Sequence, residues 1–489
     1  MDPGVQLAQR RERFSAFTLY ALTLTATLLA FCVILDLGHG LVAPAGDVVA
    51  TAHVAPVATS APAVPSYSGR HSLLHLLLAL VAVIISCRVV GSAFRYLGQP
   101  AVIGEVVAGI LIGPSLLGRI APGAMDFLLP QATLPTLGMF AQFGVILYMF
   151  LVGLEFDAGL LKRRSHTAIA ISHASIIAPF LLGAGLALAL YPILSNDQVP
   201  FSSFALFLGV SMSVTAFPVL ARILTDRRMQ DSPLGSMALA CAAIDDVTAW
   251  CLLALVVGVA QAEFGAAIGI TALTLLYIGA MFLVARPLLA RLKPVGSPIS
   301  VNVIAIVLVA LFGSACLTEC IGIHAIFGAF LFGAVIPKDS AVAHELTKKL
   351  EDLVTIVLLP VFFAFAGMRT QIGLISGMEN WLLCGAIILV ASLGKFGGTT
   401  VAARLCGVDW RDSCALGILM NTRGLMELIV LNIGLDLGLI SPRLYALMVV
   451  MALVTTTMTT PLLQFILTTP LFFRRREFSQ SAVGMEMGR

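Results

Sequence analysis

Hydrophobic and polar positions alternate along this chain in blocks of membrane-spanning length. Apolar stretches close to the ~20 residues that a helix needs to cross a bilayer recur from end to end, and short polar segments separate them. This pattern predicts an all-α polytopic membrane protein with one leading helix and a body of thirteen more. The predicted helices cover 15–36, 73–93, 100–118, 136–156, 167–192, 201–225, 233–260, 265–286, 299–317, 321–337, 353–375, 380–404, 412–438 and 443–472.

The positions of the basic residues set the orientation of these helices. Cytoplasmic loops of membrane proteins carry an excess of Lys and Arg. With the N-terminus in the cytoplasm, all but six of the 29 Lys and Arg residues fall on that side. The exceptions are Arg70, Arg119, Arg369 and Arg443 on the outer side, and Lys395 and Arg423 within the membrane. This alternation predicts that both termini lie in the cytoplasm, and the plasma (inner) membrane is the expected location.

Four regions follow from the pattern. The cytoplasmic N-terminus and leading helix take 1–40, a flexible extracytoplasmic linker takes 41–72, the transmembrane body takes 73–472, and a short cytoplasmic tail takes 473–489. The N-terminal region also has the features of a secretory signal peptide, namely a basic start, a short apolar core and an Ala-rich segment after it. An uncleaved anchor is the preferred interpretation of the leading helix, and a cleaved signal peptide is the alternative.

Composition agrees with a membrane protein and excludes several other classes. Hydrophobic residues make up 59% of the 489 positions and charged residues 11%, a balance foreign to soluble domains. The basic residues are scattered, so nucleic-acid binding is not expected. The nine cysteines lie mostly in apolar runs with no C-x-x-C, which argues against a disulfide framework or a zinc site. No cofactor is predicted, and membrane lipid is the expected surrounding partner.

Two adjacent carboxylates, Asp245 and Asp246, stand in the middle of the apolar run 237–257. One aspartate at the centre of a membrane helix costs about +2.5 to +3.5 kcal/mol in insertion measurements. Such residues face a water-filled cavity or a partner, and they commonly mark an ion or proton pathway. This pair is therefore the predicted functional site.

The transmembrane body also contains an internal sequence repeat. The end of the third body helix, 153–159, resembles the end of the tenth, 367–373, and 108–113 in the second resembles 328–333 in the ninth. These similarities fit two repeats of six helices each, joined by one connecting helix. An odd connector makes the two halves insert in opposite senses, as in secondary transporters. The alternative is that such glycine spacing serves only close helix packing.

Polar interruptions occur at matching places in both halves. In the fifth body helix, Pro218 follows Thr215 and removes a backbone donor. In the twelfth, Asn421, Arg423 and Glu427 would be costly on a continuous lipid-facing helix. We predict two discontinuous helices that cross near the membrane midplane at these five residues, with Arg423 and Glu427 forming an ion pair that stabilises the crossing.

Four segments resemble the motifs of monovalent cation:proton antiporters. They read AAIDDVTAW at 242–250, SVTAFPVLARIL at 213–224, GEVVAGILIGPS at 104–115 and NTRGLMELIVLN at 421–432. The resemblance covers about 73–472 and is closest to the branch with bacterial sodium/proton antiporters and plant-type cation/H⁺ exchangers. It implies a secondary active transporter that exchanges Na⁺ or K⁺ for H⁺, and no enzymatic activity.

The resemblance also implies an elevator-type homodimer. Its core would consist of the fourth to sixth and eleventh to thirteenth body helices, sliding against a scaffold of the first to third and eighth to tenth. Asp246 matches the carboxylate that binds cation and proton alternately, so a monovalent cation is expected there only. Asp245 matches the acid that can pair with a membrane lysine, and Lys395 sits at the position of that lysine.

Some features leave the ion and the stoichiometry open. Gated potassium efflux relatives usually show Gln-Asp at the acidic pair, which argues against that class, although a gated potassium efflux system or channel-like protein stays the alternative. An intramembrane aspartyl protease would need its aspartates on different helices. Successive helix residues point about 100° apart, so Asp245 can meet Lys395 while Asp246 faces a cavity. In the family an acidic pair is often linked with charge-moving exchange, so electrogenic transport is expected.

Overall fold

The computed structural model describes residues 22–44, 69–155, 165–230, 232–261, 264–289 and 300–468. The helices in these ranges are α1 (Leu22–Gly38), α2 (Gly69–Tyr96), α3 (Ala101–Ile112), α4 (Leu117–Ile120), α5 (Pro122–Leu128), α6 (Leu134–Glu155), α7 (Ser165–Leu194), α8 (Phe201–Ser213), α9 (Phe217–Asp226), α10 (Pro233–Gln261), α11 (Phe264–Ala280), α12 (Arg286–Leu289), α13 (Val301–Ile321), α14 (Ala325–Val335), α15 (Ala341–Leu353), α16 (Leu359–Arg369), α17 (Met378–Ser392), α18 (Gly398–Leu405), α19 (Trp410–Met420), α20 (Leu425–Asp436) and α21 (Pro442–Thr468). Wider π turns at Met281–Ala285, Val354–Leu358 and Leu393–Gly397 join α11 to α12, α15 to α16 and α17 to α18.

The helices confirm a polytopic membrane architecture. In the described part of the chain, ten helical segments are long and apolar enough to cross a membrane, and an eleventh arises if α19 and α20, which meet at a 41° bend, count as one span. Three further apolar helices, α1, α8 and α14, are shorter. The thirteen-helix body and the extra leading helix stay predictions, because these shorter helices do not reach spanning length alone.

Several predicted regions lie wholly or partly outside the described residues. They are the start of the leading helix, most of the linker 41–72 and the tail 473–489. Helix α2 already begins at Gly69, so the end of the predicted linker is helical.

Two helix crossings bring backbones into direct contact. Where α3 crosses α16, a side chain on Gly109 would overlap the backbone of Ala364. Where α6 crosses α14, a side chain on Gly153 would overlap the carbonyl of Phe330. Small residues let membrane helices approach closely and gain van der Waals contact. These crossings tie the first half of the chain to the second.

The two crossings are related as an inverted repeat requires, but in a register that differs from the predicted one. Gly367 of α16 lies against Gly109, and Gly153 of α6 lies against Gly333 in the same way. Gly109 therefore corresponds to Gly333, whereas the sequence echo matched Gly113 to it. The predicted alignment is wrong by one helical turn, because glycines one turn apart share a helix face and only the crossing shows which one touches its partner.

Gly109→Ala is expected to destabilise the protein by about 1–3 kcal/mol, the usual cost of forcing extra atoms into a packed site. Gly185→Ala on α7 is the matched control, because no atom lies within 4 Å of the added carbon and alanine favours a helix over glycine by about 1 kcal/mol. Thermal unfolding in detergent should show a lower midpoint for the first variant only. Equal midpoints would contradict the close approach of α3 and α16.

The acidic pair lies at the junction of two buried apolar clusters. The larger cluster includes residues of α2, α3, α6, α8, α14 and α16, and the smaller joins α7, α9, α10, α18, α19 and α21. Along α10, Ile244 belongs to the smaller cluster and Ala249 to the larger. Asp245 and Asp246 lie between these two positions, so the carboxylates sit where apolar packing is interrupted.

Candidate functional site

The chain between α8 and α9 is extended, so the fifth body helix is interrupted. Helix α8 ends at Ser213, α9 begins at Phe217, and Val214 between them has φ −70° and ψ 136°. Pro218 is the second residue of α9, where the missing N–H of proline removes no helical hydrogen bond. Pro218 therefore starts a second half-helix instead of kinking a continuous one.

A second interruption separates α19 from α20. Helix α19 ends at Met420 and α20 begins at Leu425. The Thr456 hydroxyl on α21 donates to the carbonyl of Arg423 (2.6 Å) and accepts from the N–H of the same residue (2.9 Å). A side chain thus satisfies backbone groups that an interrupted helix leaves without intrahelical partners.

The two interruptions hydrogen-bond directly to each other. The N–H of Ala216 donates to the Thr422 carbonyl at 3.0 Å. The Thr215 hydroxyl donates to the Met420 carbonyl at 3.2 Å. The predicted crossing of the fifth and twelfth body helices is therefore a physical contact, and Thr215 lies at its centre.

Asn421 and Thr422 bring further polar groups to the crossing. The Asn421 amide donates to the Ser392 hydroxyl on α17 at 3.5 Å, so this side chain faces α17. Within the described residues, Asn421 Oδ1 and Thr422 Oγ1 are buried and have no hydrogen-bond partner. Buried polar atoms without partners are rare in folded proteins, and here they lie in the interruption itself.

Asp245 is fully buried on α10 and accepts hydrogen bonds on both carboxylate oxygens. The Ser172 hydroxyl donates to Oδ1. Oδ2 accepts from the Ser175 hydroxyl (2.7 Å), the Thr215 hydroxyl (2.8 Å) and the Lys395 ammonium (2.9 Å). Charge-assisted hydrogen bonds of this kind are the strong ones. Asp245 is therefore held in place from three directions, by α7, by the first interruption and by the π turn.

Lys395 lies in the π turn Leu393–Gly397 and is also fully buried. Its ammonium donates to Asp245, to the backbone carbonyls of Ser175 (3.0 Å) and Ser213, and to the Ser175 hydroxyl (3.2 Å). The Ser213 carbonyl ends α8, where the helix dipole is negative. The ammonium therefore meets a carboxylate and a helix C-terminus together, in a type of turn that is frequent at functional sites.

Asp246, the next residue along α10, has a different environment. It is 3% exposed, and its Oδ1 is buried without a hydrogen-bond partner among the described residues. The carboxylate meets the backbone N–H of Phe217 at the start of α9, where the positive end of a helix favours an anion. A buried carboxylate oxygen without a donor is costly unless it takes up a proton or a cation.

The predicted pair of Arg423 and Glu427 closes the other side of the crossing. Both side chains are buried, and Nη1 lies 3.1 Å from Oε2. The guanidinium also donates to the carbonyls of Ser211 (3.2 Å) and Met212 (2.7 Å) at the end of α8. Because Arg423 lies before α20 begins, the pair spans the interruption instead of one continuous helix face. Lys395 binds the carbonyl that follows, so two cations cap the end of α8.

Sequence reasoning misses the hydroxyl groups that complete this site. Ser172 and Ser175 are three residues apart, so they share one face of α7, and that spacing was the available signal. Serine is common in membrane helices, where it often serves close packing. Thr456 lies in a run of threonines on α21, and only the tertiary structure shows that its hydroxyl bonds the second interruption.

Interrupted helices that cross beside buried charges define a class of protein, the secondary transporters, whose ion sites form where discontinuous helices meet. Residues 71–469 match the family described as sodium/hydrogen exchanger, transmembrane. The chain belongs to this family of antiporters, as the four sequence motifs predicted.

Several relatives are similar over most of this chain. The Na(+)/H(+) antiporter NhaS4 of Synechocystis sp. is 42% identical over 400 residues, which cover 80% of this chain and 97% of the relative. Cation/H(+) antiporter 19 of Arabidopsis thaliana is 39% identical over 80% of this chain and 49% of its own length. K(+)/H(+) antiporter 1 of Saccharomyces cerevisiae is 34% identical, over 82% and 47%. The chain spans about half the length of these plant and yeast relatives.

A solved structure shares the fold. The sodium proton antiporter MjNhaP1 from Methanocaldococcus jannaschii superposes with a TM-score of 0.53 over 81% of this chain and 96% of that chain. The sequence identity is 15%, so this similarity supports the fold alone.

Proposed function

We propose that this protein exchanges a monovalent cation, Na⁺ or K⁺, for H⁺ across the membrane, and that Asp246 binds both in turn. The observation that carries this proposal is the contrast between two neighbouring carboxylates. Asp245 has a donor on each oxygen, whereas Asp246 keeps a buried oxygen that no group in the described part of the chain donates to. Relatives named as Na⁺/H⁺ and K⁺/H⁺ antiporters support the same activity.

Competition between a proton and a cation for one carboxylate is sufficient for exchange. Protonated Asp246 is neutral and offers no charge to a cation, and ionised Asp246 attracts a hard cation that prefers oxygen ligands. The unpartnered oxygens of Asn421 and Thr422 lie in the same crossing, and we assign them as candidate further ligands. Because the site holds either ion but not both, and an unloaded ionised Asp246 is too costly to carry across, each ion carried inward requires the other to be carried outward.

Alternating access completes the proposed cycle. In our proposal the core, formed by the fourth to sixth and eleventh to thirteenth body helices, carries the site past a scaffold in an elevator-type movement, within a homodimer of thirteen-helix bodies. Support comes from the site itself, because the hydrogen bonds of Asp245 and Lys395 join α7, the end of α8, the first interruption, α10 and the π turn before α18, all within that core. The proposed orientation, with both termini in the cytoplasm, follows the basic residues, and the plasma membrane is the proposed location.

The activity is tested with purified protein in liposomes that carry a pH-sensitive dye. Addition of Na⁺ or K⁺ should move protons in the opposite direction, and reversing the imposed pH gradient should reverse the cation flux. Comparing Li⁺, Na⁺, K⁺ and Rb⁺ establishes the selectivity. Cation flux that is independent of the pH gradient would reject exchange and support the channel-like or gated-efflux alternative.

Thr215→Val and Asn421→Leu are expected to weaken apparent cation affinity by up to about tenfold before they abolish turnover, an effect of about 1.4 kcal/mol. The first removes a hydroxyl that bonds Asp245 and the Met420 carbonyl, and the second removes a buried oxygen at the crossing. The Michaelis constant for the cation in liposomes measures both.

Thr455→Val is the matched control for these variants. Thr455 is equally buried, but its hydroxyl donates to carbonyls of its own helix at 2.9 and 3.2 Å. The control should keep the affinity and the ion order of the unaltered protein. If both crossing variants behaved like the control, the assignment of the crossing to the cation site would be wrong.

A further inference from the structure

The leading helix α1 turns one face toward the rest of the protein. Its less exposed positions include Thr27, Phe31, Ile34 and Gly38, and a spacing of three and four residues places these four on one helix face. Phe31 and Ile34 pack against the larger buried apolar cluster. The remaining surface carries apolar side chains that are 58–63% exposed, namely Leu28, Leu29, Val33 and Leu37. Helix α1 therefore packs on protein through a single stripe.

This stripe contacts two helices of the proposed core. The ring of Phe31 lies beside the ring of Phe180 on α7, with centroids 5.2 Å apart. A side chain on Gly38 would overlap the ring of Phe201 at the start of α8, and Tyr191 of α7 packs against the same ring at 5.3 Å between centroids. Because glycine has no side chain, the end of α1 lies directly on α8. Both contacts belong to the fourth and fifth body helices.

The contact on α7 lies where that helix is weakest. Pro179 stands inside α7, and a proline in a helix removes the hydrogen bond to the carbonyl four residues earlier and bends the helix. That carbonyl belongs to Ser175, and it accepts a hydrogen bond from the Lys395 ammonium at 3.0 Å. Phe180 directly follows Pro179. Helix α1 thus packs against α7 at the break that frees a carbonyl for the ion site.

The position of α1 in the chain is compatible with attachment to a moving core. It precedes residues 71–469, which match the exchanger family, so α1 is an addition to the part of the fold that carries the site. Residues 45–68 connect it to α2, the first helix of the proposed scaffold. A fully extended chain of this length reaches roughly 80 Å. The connection is therefore long enough for α1 to follow the core while α2 stays in place.

We propose that α1 is a seventh helix of the core, docked on α7 and α8 of its own chain, where it braces α7 at Pro179 and moves together with the ion site. The movement rests on the proposed function, whereas the docking does not. The proposal requires α1 to remain in the mature chain, in contrast to a cleaved signal peptide. It also assigns α1 to the moving part of the protein and not to the interface between two copies.

Photo-cross-linking tests the docking in the full chain in liposomes. Benzoylphenylalanine in place of Phe31 should attach α1 to α7 or α8 of the same chain, so that the adduct runs as a monomer on a denaturing gel and peptide mass spectrometry places it near Phe180. Benzoylphenylalanine in place of Val33, which is 58% exposed, is the matched control and should give little protein adduct. A dimer-sized adduct, an adduct on scaffold helices, equal adducts from both positions or a mature chain that begins after α1 would overturn the docking.

The same preparation tests the movement. Exchange of the cation for H⁺ is measured before illumination and at increasing fractions of cross-linked chains. If α1 moves with the core, the exchange rate should not depend on the cross-linked fraction. A rate that falls in proportion to this fraction would show that α1 stays in place while the core moves, and would overturn this part of the proposal. Absence of exchange before illumination would instead reject the underlying function, while the position of the adduct still decides the docking.

A pair of glycine variants tests the brace. Gly38→Leu places a side chain against the ring of Phe201, so it should abolish most of the cross-link from position 31 and lower the thermal midpoint in detergent. Gly40→Leu is the matched control, because no atom lies within 4 Å of the added carbon, and it should keep both. A Gly38→Leu protein that retains the cross-link would overturn the docking. One that loses the cross-link but unfolds at the unaltered midpoint would overturn the brace.

Discussion

Asp246→Asn is expected to reduce cation-dependent proton flux to the level of empty liposomes while the protein still inserts and folds. The amide keeps the shape of the side chain but can neither ionise nor exchange a proton. Because Asp245 has a donor on each oxygen and is bound by Lys395, it offers no replacement. The measurement compares proton flux after addition of Na⁺ or K⁺ in matched preparations, with size-exclusion profiles and thermal midpoints to verify folding.

The control for this loss is the removal of a carboxylate elsewhere. Asp352→Asn changes an exposed residue of α15, far along the chain from both interruptions, and should leave exchange intact. This comparison separates the loss of one particular group from a general change in charge. Substantial exchange in a well-folded Asp246→Asn protein would rule out Asp246 as the carrier.

Lys395→Ala is expected to destabilise the protein by about 3–5 kcal/mol, the cost of leaving one member of a buried ion pair without its partner. Asp245 would keep its charge in a site with no exposed surface, and the carbonyls of Ser175 and Ser213 would lose their donor. Thermal or denaturant unfolding in detergent measures the effect. Lys349→Ala removes a surface pair with Glu345, 53% and 36% exposed, and should cost about 1 kcal/mol or less.

A double-mutant cycle tests the pairing itself. Asp245→Asn combined with Lys395→Gln removes both charges and keeps polar groups for the surrounding hydroxyls and carbonyls. The double variant should be more stable than either single variant, because each single change leaves one isolated buried charge and the double change leaves none. Strictly additive losses would reject an energetic link between the two residues.

The charges of the site could be predicted from sequence because the membrane makes them conspicuous. Asp245, Asp246 and Lys395 stand out in long apolar runs, where charge is expensive. Ser172 and Ser175 carry no such penalty, so the only signal in the sequence was their three-residue spacing on one helix face. Whether a serine bonds its own helix or a carboxylate on another helix depends on packing between helices, which one sequence does not contain.

For helix boundaries and repeat register, too, some features could be predicted from the sequence and others depend on packing between helices. The interruptions could be predicted from proline and polar residues in apolar helices, but the position of Pro218 in the first turn of α9 could not. That position depends on packing between the two interruptions, where Ala216 bonds Thr422. The π turn that holds Lys395 reads as ordinary apolar helix in the sequence. The repeat register was wrong by one turn because Gly109 and Gly113 share a face and differ only in what packs against them.

The most direct test of the central claim is whether cation binding displaces a proton from Asp246. Titration calorimetry of the purified protein with Na⁺ or K⁺, in buffers of different ionisation enthalpy, counts the protons released. We expect a proton to be released per cation bound, an apparent affinity that falls as the pH is lowered, and neither effect in Asp246→Asn. Cation binding without proton release, or undiminished release in the Asp246→Asn protein, would contradict competition for this carboxylate.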